Sequence, residues 1–255
     1  MQSIDSYTVY TILAFTFAIG LSVGSFVTMA SYRLPLEQEI VFKPSYCPKC
    51  GTPLKAFDLI PLFSWLLQRG KCRHCHAPIS KRYPLTEFSL GIVFVLLVLL
   101  YGISFNTLLL ALLATELCIL IVTDLEHFII PDSIQIALAV TGIAYAIYHN
   151  LSAQSVAQGV GAGFFIGLLL HYGYLYLRHQ DALGWGDVKF MAVVGTWLPI
   201  HDFVTFFFLA GLIGVFTGLL WRIAGRGAVF PFGPALACSL FVNVLFPDML
   251  YRIGP

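Results

Sequence analysis

Long apolar runs recur along this chain, and no other feature restricts its folding as strongly. A run of about 20 apolar residues is long enough to cross a bilayer as a helix. Charged residues make up only 11% of the sequence and hydrophobic residues 58%, so lipid must be the solvent for much of the surface. We therefore expect an all-α polytopic membrane protein, whose sixth span is the shortest. The runs predict about eight transmembrane helices: 7–31, 84–101, 107–123, 133–149, 155–177, 187–199, 202–223 and 233–251.

The basic residues indicate how these spans are oriented. If the N-terminus lies outside, thirteen of the fourteen Lys and Arg residues lie in or beside inside segments, and only Arg252 lies outside. Cytoplasmic loops of membrane proteins carry such an excess of positive charge. We expect three segments: a first transmembrane span at 1–32 with a periplasmic N-terminus, a cytoplasmic loop at 33–83, and a multi-span membrane core at 84–255. Orientation explains most of the basic charge, with membrane lipid as a further partner, and we expect no nucleic-acid partner.

The loop contains two C-x-x-C motifs with 21 residues between them, formed by Cys47 and Cys50 and by Cys72 and Cys75. This spacing is typical of a zinc ribbon, in which two tight turns bring four thiolates around one ion. Two disulfides are the alternative, but the cytoplasm keeps thiols reduced, which favours zinc. Four thiolates leave no open position on the metal, so the predicted zinc is structural. We expect the neighbouring His74 and His76 to be solvated rather than ligands.

Acidic residues at the ends of spans are candidate functional residues, because a carboxylate is costly in a membrane. Asp124 ends the third span and Asp187 begins the sixth, so both are expected at the cytoplasmic membrane face. Two neighbouring carboxyls share a proton, so one can activate water while the other polarises a peptide carbonyl. Capping is the alternative, although the helix dipole disfavours an anion where Asp124 lies. Asp132 is expected to cap the fourth span, and Glu116 to bond a neighbouring span or tune the pair.

Several short motifs occur in a specific order along the chain. The pattern D-x-x-x-x-x-x-P-D at 124–132 and the pattern G-x-G-D-x-K at 184–189 follow the two C-x-x-C motifs. In this combination the sequence resembles the bacterial type IV prepilin peptidases, the leader peptidase and N-methyltransferase family of GxGD intramembrane aspartyl proteases. Further matching stretches are GSF at 24–26, YRLP at 32–35, PISKRYPLTE at 78–87 and FPFGPALA at 230–237.

The resemblance implies an inner-membrane protease with Asp124 and Asp187 as the catalytic pair. Its substrates would be prepilins or pseudopilins, cut after a glycine that follows a short basic leader. The family then methylates the new N-terminal amine with S-adenosylmethionine. Lys189 would be an interfacial anchor or a phosphate contact. The chain departs from the family at Thr28 and at 58–61, in the N-terminal third that is associated with methyl transfer.

Two other functions remain open from the sequence. The first is a GxGD protease that cleaves its substrate without methylating the product. The second is a transporter or scaffold whose acidic pair relays protons or binds a cation. Transporters often contain inverted repeats of similar hydropathy, and this sequence contains no such repeat. The resemblance therefore favours the prepilin peptidase.

Overall fold

The computed structural model of the chain describes residues 5–40, 42–178, 183–227 and 229–247. These residues form α-helices, short 3₁₀ turns and loops, with no β-strand among them. The predicted all-α fold is therefore confirmed. The helices are α1 (Ser6–Arg33), α2 (Phe63–Leu67), α3 (Arg82–Tyr101), α4 (Phe105–His127), α5 (Asp132–Tyr148), α6 (Ala153–Arg178), α7 (Trp185–Val194), α8 (Phe203–Ile223) and α9 (Gly233–Leu245).

Each predicted span corresponds to one of these helices, but the helices differ in length. Five are long and apolar enough to cross a membrane, namely α1, α3, α4, α6 and α8. The apolar helices α5 and α9 are shorter, with 17 and 13 residues. Residues 248–251 of the last predicted span, together with Arg252, lie outside the described residues.

The sixth predicted span, 187–199, differs most from the structure. Its helix, α7, has ten residues and is therefore about 15 Å long, which is half the thickness of a bilayer core. The helix ends before Gly195, turns follow it, and Pro199 precedes the next 3₁₀ turn. The indole of Trp197 in these turns donates a hydrogen bond to the carbonyl of Leu138 at 2.9 Å. Apolar composition extended the prediction through residues that fold as a buried turn.

The chain divides into two compact units, Met1–Ile119 and Leu120–Pro255, with α4 beginning in the first and ending in the second. In the first unit, α1 and α3 pack closely through small residues. A Cβ at Gly20 would lie 2.7 Å from the Cα of Gly91, and a Cβ at Gly24 would lie 2.5 Å from the Cα of Glu87. Lipid is as apolar as a helix surface, so this close backbone packing is what can hold the two helices together.

In the second unit, α6 packs against α7 along a stripe of glycines at every fourth position. A Cβ at Gly159 would lie 2.8 Å from the carbonyl oxygen of Gly195, and one at Gly167 would lie 3.1 Å from the Cα of Val188. Gly163, between them, faces Met191. The short α7 is thus held against α6 by backbone contact. This packing fixes the position of α7, whose first turn contains Asp187.

Arg33, at the end of α1, organises the start of the cysteine loop. Its buried guanidinium donates hydrogen bonds to the carbonyls of Glu39, Lys43 and Pro44 at 3.0, 2.8 and 2.9 Å. A buried charge is costly unless it is hydrogen-bonded, and these three acceptors meet that requirement. The loop therefore folds back onto the end of the helix from which it emerges.

Candidate active site and metal centre

The four predicted cysteine ligands lie together in the loop. The Sγ atoms of Cys47, Cys50, Cys72 and Cys75 all lie within 4.8 Å of one another, and those of Cys47 and Cys75 are 3.9 Å apart. A tetrahedral zinc ion with zinc–sulfur bonds of about 2.3 Å places its sulfurs about 3.8 Å apart. This donor set fits zinc, and the distance is too long for a disulfide bond.

The two C-x-x-C motifs fold as matching turns. The amide of Cys47 donates to the carbonyl of Thr52 at 2.9 Å, and the amide of Cys72 donates to that of Ala77 at 2.8 Å. Gly51 and His76 occupy equivalent positions with φ of 70° and 57°. Neither His76 nor His74 belongs to the cluster of metal-ligating groups found among the described residues. His76 is a turn residue, where the other motif has glycine.

The thiol of Cys50 is prepared for metal binding by its surroundings. Its Sγ lies 3.3 Å from the hydroxyl oxygen of Thr52. Hydrogen bonding by the side chain and backbone of Thr52 lowers the pKa of Cys50 to about 6. Because the thiolate is the form that binds metal, the lowered pKa of Cys50 favours metal binding by this residue.

Asp124 is buried near the C-terminal end of α4, and its carboxylate meets the start of α9. The backbone N–H of Gly233 donates a hydrogen bond to Oδ2 of Asp124 at 2.8 Å. A Cβ at Gly233 would lie 2.6 Å from the same oxygen, so this position accepts only glycine without rearrangement. The positive N-terminal end of α9 stabilises an anion that the dipole of α4 disfavours.

Asp187 lies in the first turn of α7, after Gly184, which is the N-cap residue. Its buried Oδ1 has no hydrogen-bond partner within the described part of the chain. The charge of Asp124 acts on Asp187, so the two carboxyls lie within electrostatic reach of one another. The structure thus brings together the two acids that the sequence singled out.

Two further contacts join α7 to the segment that follows Asp124. A Cβ at Gly186 would lie 3.2 Å from the Cβ of Ile130 and 3.6 Å from its backbone nitrogen, so the two segments approach closely here. The amine of Lys189 lies 2.8 and 3.0 Å from the two carboxylate oxygens of Asp132. Asp132 lies in the first turn of α5 but makes no capping hydrogen bond, because its carboxylate pairs with Lys189 instead. The sequence analysis did not anticipate this ion pair.

His171 is a residue of the site that the sequence analysis missed. Its Nδ1 donates a hydrogen bond to the carbonyl of Leu183 at 2.7 Å, and its ring lies 5.0 Å from that of Trp185. The contact fixes the chain just before Asp187. A carbonyl can only accept, so Nδ1 carries the proton. The available signal was a histidine within an otherwise apolar span.

Glu116 is also buried, on α4 about two turns before Asp124. Its expected role, as a partner for a neighbouring span or as a group that tunes the acidic pair, stays a prediction.

A polytopic helical membrane fold with two acidic side chains gathered at helix ends defines a candidate intramembrane protease. Comparison with known proteins identifies the family within this class. The model of the bacterial peptidase A24 N-terminal domain matches residues 18–101, and the model of the type IV leader peptidase family matches residues 108–219. The chain belongs to the type IV leader peptidase family.

Curated relatives agree over nearly the whole chain. A prepilin leader peptidase/N-methyltransferase of Neisseria gonorrhoeae is 34% identical, over 92% of this chain and 90% of the relative. Relatives with the same name from Aeromonas hydrophila and Myxococcus xanthus are 30% and 33% identical, covering 92% and 88% of this chain and 91% and 67% of their own lengths. No solved structure matches the chain significantly.

Proposed function

We propose that this protein is a prepilin leader peptidase and N-methyltransferase. It cleaves the leader from type IV prepilins or pseudopilins and methylates the new N-terminus. The single observation that carries the proposal from the structure is the gathering of Asp124, Asp187 and the N-terminus of α9 in one unit of an apolar helical protein. The names of the relatives supply the substrate and the second activity. They also favour the peptidase over a transporter or scaffold.

The two acids are not equivalent, and their surroundings suggest a division of roles. The N–H of Gly233 stabilises the ionised form of Asp124, which makes Asp124 the base. The buried Oδ1 of Asp187 has no hydrogen-bond partner among the described residues and can carry the shared proton toward a substrate carbonyl. Asp187 is then the acid.

The reaction on this geometry takes four proton transfers, two as the water attacks and two as the intermediate collapses. Asp124 removes a proton from water as the water oxygen attacks the carbonyl carbon of the scissile peptide, while Asp187 donates its proton to the carbonyl oxygen. The tetrahedral intermediate collapses, the proton on Asp124 passes to the departing amine, and the carbonyl oxygen returns its proton to Asp187. The carbon–nitrogen bond breaks, and the pair regains its starting charge.

Zinc and S-adenosylmethionine would have separate roles in this protein. The four cysteine thiolates would hold zinc, which supplies a structural link between the two turns of the loop. S-adenosylmethionine is the methyl donor that the methyltransferase names of the relatives imply. We assign no residue of this chain to that donor.

The chain is a multi-pass protein of the inner membrane, with long apolar helices and relatives of the same kind. For its orientation we propose a periplasmic N-terminus and a cytoplasmic cysteine loop, because thirteen of the fourteen basic residues then lie inside. The core at 84–255 would carry proteolysis. A basic leader that stays in the cytoplasm would then deliver its scissile bond to the depth of Asp124 and Asp187.

The test is cleavage of a purified prepilin, followed by mass spectrometry, with the variants Asp124→Asn and Asp187→Asn. We expect each to lose cleavage by about a thousandfold or more, because neither amide can take over the proton transfers. Glu126→Gln is the matched control, since Glu126 is an exposed acid two residues from Asp124 on the same helix.

Normal cleavage by either Asn variant would exclude the paired-acid mechanism. The mass of the wild-type product reports methylation separately. A product without the added methyl group would show that the protein cleaves prepilin but does not methylate it.

A further inference from the structure

The cysteine loop exposes more apolar surface than a metal site needs. In the five-residue helix α2, Phe63, Leu66 and Leu67 have exposed fractions of 62%, 61% and 82%. Phe57, Leu59 and Ile60 just before the helix are exposed as well. We call these six residues the apolar edge. A contiguous exposed apolar surface of this kind marks an interaction site.

A hydrogen bond fixes the level of the apolar edge along α3. The backbone N–H of Leu62, the residue before α2, donates to Oε2 of Glu87 at 2.7 Å. Glu87 is buried and lies five residues into α3, which is about 7.5 Å along the helix axis. Since α3 is one of the candidate membrane spans, α2 begins level with the second turn of a membrane helix. A bilayer whose surface meets the first turn of α3 would have the boundary between its headgroups and acyl chains at this level.

The opposite side of α2 is fixed to the loop, so the apolar edge cannot turn inward. The indole of Trp65 donates a hydrogen bond to the carbonyl of Ile79 at 3.3 Å. Its ring also packs against Gly70, where a Cβ would lie 2.9 Å from it. Trp65 thereby joins α2 to the second cysteine turn. The exposed side chains of α2 face away from the folded loop.

Basic residues line a cavity beside the apolar edge. The cavity has a volume of about 470 Å³ and is shared by Leu67, Arg69, Lys71 and Arg73, among others. Arg73 is paired with Asp58 at 3.2 Å. Arg69 and Lys71 form no ion pair with any described residue, so their charge is available to an anion. An apolar surface next to a basic cavity has the chemistry that complements an anionic phospholipid.

We propose that the apolar edge and this cavity form a lipid-docking surface. The side chains of α2 enter the bilayer to the boundary of the acyl chains, and Arg69 and Lys71 bind the phosphate of an anionic phospholipid. The metal loop is then held on the membrane surface at a fixed depth, instead of moving freely in water. Membrane lipid is the occupant because α1 and α3 tether both ends of the loop to the bilayer.

The test is photo-crosslinking of the full-length protein in nanodiscs. A benzophenone amino acid replaces Leu67, in discs of phosphatidylcholine with about one phosphatidylglycerol in four lipids, and adducts are identified by mass spectrometry. The same probe at Ile19, an exposed apolar residue of α1, is the lipid-facing control. A probe at Lys49, in the turn of the first cysteine motif, is the water-facing control.

We expect lipid adducts at Leu67 to match those at Ile19 and to exceed those at Lys49. Phosphatidylglycerol should be enriched among the Leu67 adducts, and Arg69→Gln with Lys71→Gln should reduce the enrichment by about fivefold for each charge removed. Glu87→Ala should lower the adducts at Leu67 while zinc content is unchanged, because the variant removes the tether of α2 and a hydrogen bond with Ser25 of α1 but no cysteine ligand.

Three outcomes would overturn the proposal. Lipid adducts at Leu67 no more frequent than at Lys49 would show that the apolar edge does not enter the bilayer. Adducts with a second copy of the chain, or with an added prepilin, would show that a protein covers this surface. Labelling of the two lipids in proportion to their content in the discs would exclude the anionic-lipid site at Arg69 and Lys71.

Discussion

The hydrogen bond between Gly233 and Asp124 explains how an acid is kept at the wrong end of a helix. Near the C-terminus of α4 the helix dipole opposes a negative charge, yet the N-terminus of α9 offers its backbone N–H at 2.8 Å. The position of Asp124 in the sequence reveals this conflict but not how the fold resolves it. The donor is a backbone group, and no pattern of side chains reveals where a backbone group from a distant segment will lie.

At the scale of single residues, we predict that Gly233→Ala greatly slows proteolysis without weakening substrate binding. The added Cβ would displace the carboxylate of Asp124, and a misplacement of about 1 Å costs about a hundredfold in rate. We expect kcat for prepilin cleavage to fall by that factor while KM stays within about twofold.

The matched control for this variant is Gly211→Ala. Gly211 lies on α8, where a Cβ meets no atom within 4 Å. A kcat for Gly233→Ala equal to that of the control would show that Gly233 does not position Asp124. A lowered thermal stability in the variant alone would indicate a packing defect, so kcat is compared at a temperature at which both variants are folded.

Between elements, the ion pair of Lys189 and Asp132 joins α7 to α5. Both side chains are at least half exposed, so the pair contributes little to global stability, on the order of 0.2–1 kcal/mol. We predict that Lys189→Glu and Asp132→Lys each lower kcat/KM by up to about fivefold, because either reversal places like charges together beside Asp187. The swapped double variant should recover activity. Additive losses in the double-mutant cycle would show that the pair is not coupled to catalysis.

Sequence periodicity predicted where the helices lie and failed to predict how they pack. Hydropathy located a helix within each of the eight predicted stretches, because it averages over every face of a helix. For the same reason it overlooked the glycines at 159, 163 and 167, which share one face of α6 and contact α7. It also extended the sixth span past Gly195, since Thr196, Trp197 and Leu198 are buried whether they form a helix or a turn.

At the scale of the whole molecule, the metal site and the acidic pair belong to different units. The four cysteines lie in Met1–Ile119, and Asp124 and Asp187 lie in Leu120–Pro255. The sequence located both sites, because cysteine spacing and charge within apolar runs are local signals. It could not locate His171 or Gly233, whose roles depend on which helices become neighbours.

We predict that removal of zinc unfolds the loop while much of the proteolytic activity is retained. After treatment with a chelator, limited proteolysis should cut within 33–83, because the small loop has little apolar core without the metal. Cys50→Ser should behave like the chelated wild type. His74→Ala is the control, since His74 is exposed and outside the cysteine cluster. Complete loss of prepilin cleavage on chelation would show instead that the acidic pair depends on the folded loop.

The hydrogen bond from Gly233 to Asp124 can form only late in the synthesis of the chain. The two residues are 109 positions apart, and a ribosome adding about 5–20 residues per second needs about 5–20 s to travel that distance. Throughout this interval Asp124 has been synthesised but its backbone donor has not. A translation product that stalls before α9 is a membrane protein without an assembled protease. The catalytic centre is therefore complete only after α9, the last described helix, has been synthesised and inserted into the bilayer.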